Sequence, residues 1–149
     1  MNNLAKLFLS LSLLFAAAAL PAQTQPNFTG TWKLNTAKSK LGNAGVSALV
    51  VDIDHKDPVL KYTAKGTSGG QDFEVTETLT TDGKTSRDSQ GTNVKAHWEG
   101  ATLVAEGSGD DGSMIYISRL TLAEDGKTMT RVLTQKDDPQ PRHELYEKL

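Results

Sequence analysis

The chain has 149 residues, with 16 basic and 18 acidic side chains, a formal net charge of −2 and no cysteine. That balance argues against nucleic acid or an anionic membrane surface as a partner, because both demand a concentrated positive patch, and Lys33, Lys38 and Lys40 are the nearest approach to one. Without cysteine there are no disulfides, iron–sulfur ligands, thiolate zinc sites or thiol nucleophiles.

The first element is a leader. Met1 to Lys6 carries a single charge, Leu7 to Leu20 is apolar, and Pro21-Ala22 offers a small-residue cleavage point before Gln23. This is the pattern of a secretory signal peptide. The apolar run is shorter than the roughly 20 residues a membrane span needs. The expectation is therefore a signal peptide over 1–22 and one secreted or periplasmic domain over 23–149, with no stable membrane insertion after cleavage. No cysteine follows the apolar run, so lipid attachment through a cysteine is excluded. The mature chain carries 15 basic against 18 acidic side chains, a net of −3, and is long enough for one modest core.

Short alternating segments follow in order. Thr31 to Asn35 reads as a first strand, and Thr36 to Gly45, rich in Lys, Gly and Ala without alternation, as a loop or single helical turn. In Ser47 to Asp54, Leu49, Val51 and Ile53 share one face. Val59 to Gly66 places Leu60, Tyr62 and Ala64 together, and Phe73, Val75, Glu77 and Leu79 share the next inner face. Such period-two patterning marks strands with one buried and one wet face. Thr81-Asp82-Gly83-Lys84 carries the Asp-Gly signal of a tight hairpin, leading into a polar strand over Thr85 to Gln90. Asn93 to Glu99 turns Val94, Ala96 and Trp98 inward. Thr102 to Glu106, the apolar Met114 to Leu122, Thr128 to Gln135 and Arg142 to Lys148 complete the set, with Lys136 to Pro141 as a polar loop.

The result is an all-β pattern of nine or ten strands with short connections, which favours an up-and-down meander. Closing the sheet into a barrel removes its two exposed edges. The expected fold is an up-and-down antiparallel β-barrel of about 8–10 strands, with a β-sandwich as the alternative. One internal echo stands out: Leu79 to Thr85 and Leu122 to Thr128 each join a strand end, a Gly-containing turn and a strand start. Two copies of a turn do not make a solenoid or propeller repeat.

Gly30-Thr31-Trp32, at the first strand, resembles the Gly-x-Trp motif of lipocalins and the wider calycin group. The flanking Phe28 to Asn35 and Lys38 to Gly42, together with Trp98-Glu99-Gly100-Ala101-Thr102-Leu103, Asp125 to Thr130 and Leu145 to Lys148, are similar to small exported bacterial lipocalin-like proteins. The resemblance covers most of the mature chain. It implies an antiparallel barrel of eight to ten strands with an internal pocket for a small, mostly apolar molecule. It also implies a basic residue over Trp32 from a late strand, for which Arg131 and Arg142 are the candidates. Fatty-acid-binding barrels hold a carboxylate with Arg-x-Tyr on the last strand; here the matching positions read Glu144-Leu145-Tyr146.

Among residues that could carry chemistry, Glu77 shares the inward parity of Phe73, Val75 and Leu79. A buried carboxylate needs a partner, and Arg119 or Arg131 could serve; a bulge or strand end would instead turn it to solvent. Arg131 sits between Met129 and Leu133 on one face, as an internal anchor or a cap over Trp32 if that face is inward, or solvated if Val132 points in. His55, His97 and His143 show no metal-ligand spacing. Asp52 to Asp57 lacks the glycine and the distal glutamate of a calcium loop. No nucleophile elbow, P-loop or dinucleotide fingerprint is present, so no catalytic residue, metal or cofactor is expected.

The expected function is non-catalytic binding of a small hydrophobic or amphipathic ligand by a monomeric barrel. Leu49, Val51, Leu60, Tyr62, Phe73, Val75, Glu77, Trp98, Met114 and Tyr116 would face the interior, with Gly30, Trp32 and Arg131 as the structural motif. A structural or interaction barrel filled by its own side chains and an enzyme on the same scaffold are the alternatives.

Overall fold

The computed structural model describes residues 24–149; the signal peptide expected over 1–22 lies outside the described residues. Ten strands follow in chain order: β1 (Gly30–Leu34), β2 (Val46–Lys56), β3 (Val59–Ser68), β4 (Gln71–Thr80), β5 (Thr85–Arg87), β6 (Asn93–Glu99), β7 (Thr102–Ser108), β8 (Met114–Leu122), β9 (Thr128–Gln135) and β10 (Asp138–Lys148). All pairings are antiparallel, in one sheet of order β4-β3-β2-β1-β10-β9-β8-β7-β6-β5. The first and last strands pair in the middle of that order. The sheet curls until its outer strand β4 comes back against β5 and β6. It is thus a nearly closed up-and-down barrel, not a two-sheet sandwich, with one seam between β4 and β5.

The alternation of the sequence drives this. Along β2, Val51, Ile53 and His55 are buried and Asp52, Asp54 and Lys56 are exposed. Opposite walls contribute Val94 and Ala96 from β6 and Leu103 and Ala105 from β7. Inward residues meet across the interior while polar neighbours stay wet, the condition for a sheet with one solvated face.

Three segments differ from expectation. The polar strand expected over Thr85 to Gln90 ends at Arg87, leaving Asp88 to Gln90 as loop. Asp138 to Pro141 belongs to β10 rather than to a loop, extending the last strand beyond an irregularity in the β9–β10 register between Asp138 and Arg142. The Asp82-Gly83 turn does not close a hairpin, since β4 and β5 lie at opposite ends of the sheet. The backbone groups that a hairpin would use are engaged elsewhere. Thr81 N–H donates to Pro58 O at 2.8 Å and Gly83 N–H to Ala96 O at 2.7 Å. The turn therefore carries the chain across the seam. Its echo at Asp125-Gly126 does close a hairpin, with Ala123 N–H donating to Thr128 O at 2.8 Å.

One end of the barrel is plugged. Phe28 and Trp32 are fully buried, and the Trp32 indole N–H donates to Phe28 O at 2.8 Å. Burial of an aromatic side chain this large contributes about 3 kcal/mol. The Phe28, His55 and Trp98 rings stack in a triangle with centroids 5.9–6.0 Å apart. Asp57 ties this layer to the β4–β5 connection, accepting from Thr81 Oγ1 at 2.6 Å and from Trp98 Nε1 at 3.0 Å. The cation over Trp32 is Lys148, with Nζ 5.3 Å from the ring centroid, not Arg131 or Arg142. Register explains this: Trp32 pairs across the strands with Lys148, whereas Arg131 lies opposite Glu144, deeper in the barrel. Gly30 makes room for it. Its φ of +147° suits glycine, and a Cβ there would collide with the Lys148 side chain.

Candidate functional site

Beneath the plug the barrel is hollow. A cavity of about 280 Å³ runs through its interior and reaches the exposed Gln90 of the loop between β5 and β6. Its walls are largely aliphatic: Leu49, Val51 and Ile53 from β2, Leu60 and Ala64 from β3, Val75 and Leu79 from β4, Leu103 and Ala105 from β7, and Leu120 and Met129 from β8 and β9. This is the usual composition of a small-molecule site, apolar walls with a few placed polar groups.

The polar groups form two sets. The first lies on the β8–β10 wall. Arg131 Nη1 donates to Glu144 Oε2 at 3.2 Å and its Nε to Ser118 Oγ at 3.1 Å. The Tyr146 hydroxyl donates to the same Glu144 oxygen at 2.7 Å. Glu144 and Tyr146 are both buried, as expected of two residues on one strand face. Arg131 keeps 31 % of its side-chain surface accessible, on the cavity it lines. Burial by itself would lower its guanidinium, but the adjacent Glu144 carboxylate, together with Tyr146 and Tyr62, holds it above the ordinary arginine value. Burial, reinforced by the charge of Glu144, raises the Tyr146 hydroxyl.

The second set sits toward the seam and the mouth. Glu77 lines the cavity, but its carboxylate turns to neither Arg119 nor Arg131. It accepts from Ser89 N–H at 3.1 Å and from Ser89 Oγ. This strap joins β4 to the loop after β5, where the sheet lacks a ladder. Asp88 folds the same loop by accepting from the Gln90 and Thr92 amides at 3.0 and 2.7 Å. Arg87 anchors it from outside through Asp110 at 2.9 Å. Arg119 is on the outer surface, paired with Glu99 at 2.5 Å.

Tyr62 and Tyr116 complete the lining. Burial raises both hydroxyls, with the charges of Glu77 and Asp88 adding to it; Tyr116 is pushed up to about 12. Both stay neutral donors across the working range of a protein. Tyr116 owes its position to Gly107, its cross-strand partner, whose missing side chain is replaced by the tyrosine ring.

Of the residues expected inside, Leu49, Val51, Leu60, Tyr62, Val75, Glu77 and Tyr116 line the cavity. Trp98 is part of the plug. Phe73 and Met114, although inward in parity, lie near the open ends of their strands, where they are 37 % and 40 % exposed. The sequence reading did not single out Ser118, Asp88, Gln90 or Ala105, and it used Glu144 and Tyr146 only for a motif that they fail to match. The available signal was the shared parity of Glu144 and Tyr146 on the last strand; their meeting with Arg131 comes from the β9–β10 register. None of the three histidines lines the cavity. Among the described residues, no three His, Asp or Glu side chains gather as metal ligands would.

Compared with known proteins, the chain matches no family model, and no curated sequence matches it.

Proposed function

We propose that this chain is an exported, non-catalytic binding protein of the lipocalin-like kind, within the calycin group, that holds a small hydrophobic or amphipathic molecule inside its barrel. The observation that carries this reading is the cavity of about 280 Å³ inside the barrel, walled largely by aliphatic side chains. A barrel of this strand number can be filled by its own side chains or left hollow for one ligand, and the volume favours the second use. The Gly30-Thr31-Trp32 motif at the first strand and the leader over 1–22 add the lipocalin-like and exported parts of the proposal. The protein acts as a monomer and carries no cofactor.

The test is titration with N-phenylnaphthylamine, an uncharged dye that brightens in apolar surroundings. Saturable brightening is expected for the unaltered protein. Ala105, midway along β7 and lining the cavity, lies opposite Ala96 and Ser118 in the sheet register. Ala105→Phe fills the cavity and should weaken dye binding at least tenfold while the β-sheet circular dichroism is retained. Absence of saturable brightening in the unaltered protein, or undiminished binding by a folded Ala105→Phe variant, would reject the reading.

A further inference from the structure

The hydrogen-bonding groups inside the cavity are unevenly satisfied, and the imbalance points to a class of ligand. The carboxylates are already engaged. Glu144 accepts from Arg131 and Tyr146, Glu77 from Ser89, and Asp88 from two backbone amides of its own loop. The tyrosine donors are not. Among the described residues, no protein group bonds the Tyr62 or the Tyr116 hydroxyl, and neither oxygen is a sealed, unpartnered atom, so both remain open to the cavity. They come from β3 and β8, on different walls of the barrel, and both lie within the electrostatic reach of Arg131 on β9. A buried donor that a ligand leaves unpaired carries a full desolvation penalty. These hydroxyls therefore favour a molecule that presents an acceptor between them.

Charge narrows the class further. Among the described residues, Glu77, Asp88 and a single guanidinium, Arg131, line the cavity, and Arg131 is paired with Glu144. Arg131 is already neutralised by Glu144, so a ligand carboxylate would find no uncompensated cation and would face two further acidic side chains. Burying an unpaired charge is far costlier than burying a neutral acceptor. A ligand cation would meet Glu77 and Asp88, which are bonded only to the neutral Ser89 and loop amides, but it brings donors alone and leaves the Tyr62 and Tyr116 donors without an acceptor.

Resting on the reading that the barrel is a binding protein, we propose that its cavity selects an uncharged molecule with an acceptor oxygen, such as a ketone, lactone, amide or quinone, which Tyr62 and Tyr116 bind by donating from opposite walls. Size follows from volume. An apolar cavity of about 150 Å³ takes benzene, so one of about 280 Å³ takes a body roughly twice that size.

Four probes of one shape test this by calorimetry on the purified protein: acetylnaphthalene, isopropylnaphthalene, naphthoate and naphthylmethylammonium. The ketone should bind about tenfold tighter than the hydrocarbon, the equivalent of a net hydrogen bond, and tighter than either ion. The combined Tyr62→Phe and Tyr116→Phe variant should reduce the ketone to the affinity of the hydrocarbon and leave the hydrocarbon unchanged, which also reports that the barrel is intact. The proposal is overturned if naphthoate or the ammonium ion binds as tightly as the ketone, or if the double variant keeps the ketone preference. Failure of all four, hydrocarbon included, would instead reject the binding reading itself.

Discussion

At one end of the barrel Phe28 and Trp32 are fully buried, Trp98 and His55 stack on Phe28, and polar contacts pass from Asp57 to Thr81. At the other, Phe73 and Met114 stand 37 % and 40 % exposed, and the interior behind them is hollow. The same alternating strands supply both ends. The difference lies in what the inward positions carry: large aromatic rings near the β2–β3, β4–β5 and β6–β7 turns, smaller aliphatic side chains and scattered polar groups beyond them. A curved sheet sets the space available, and side-chain volume decides whether that space is filled. In this chain one end secures the fold and the other leaves room for a guest.

That contrast can be broken at its strongest point. Trp32→Ala removes the plug and the bond to Phe28 O and leaves a second opening. The expected loss is about 3–5 kcal/mol, the range for deleting a buried tryptophan side chain, read as a lower urea midpoint. If stability falls by less than about 1 kcal/mol, the closed end is not what secures the barrel.

A smaller effect is expected from the polar wall of the cavity. Arg131→Met leaves Glu144 buried with only the Tyr146 hydroxyl as partner. Because Arg131 is partly accessible through the cavity, the cost should be about 1–3 kcal/mol, below that of losing Trp32. Adding Glu144→Leu should restore most of it, since the stranded carboxylate is then gone. A double variant no more stable than Arg131→Met would show that Glu144 was not the cause.

The smallest effect lies at the rim of the plug. The Thr81 hydroxyl, opposed by partial burial and helped by the Trp98 indole, holds the Asp57 carboxyl below its ordinary value of 3.8. A carboxyl lowered by folding contributes stability that is complete above the ordinary value and is lost as pH falls through the lower folded one. Trp98 emission should therefore change on acidification below about pH 4, and Asp57→Asn should remove that transition. An unaltered transition in the variant would place its origin elsewhere.

Much of the architecture was legible in the chain because strand patterning is local. Asn93–Glu99, Met114–Leu122 and Thr128–Gln135 were readable with their observed bounds, since each begins and ends where alternation meets a turn signal. The inward parity of Leu60, Tyr62 and Val75 followed from the same rule, and all three line the cavity. The Asp82-Gly83 turn misled, because its chemistry matches that of the true hairpin at Asp125-Gly126 while its backbone partners, Pro58 and Ala96, come from elsewhere in the fold. Arg131 shows the same limit: the sequence leaves its face open between inward and solvated, and its engagement with Glu144 rather than Trp32 depends on a register that exists only once β10 lies against β9.

The sequence by itself determined an all-β meander, the face of most strands and a tryptophan at the first strand, because hydrophobic alternation and turn chemistry act over a few residues. Only the tertiary structure decided where the seam falls, that Lys148 covers Trp32, that Glu77 straps the seam through Ser89, and that Tyr62 and Tyr116 are left with free hydroxyls over a hollow interior. Each of these depends on residues far apart in the chain meeting across a closed sheet, and on how completely their volumes fill the space that closure creates.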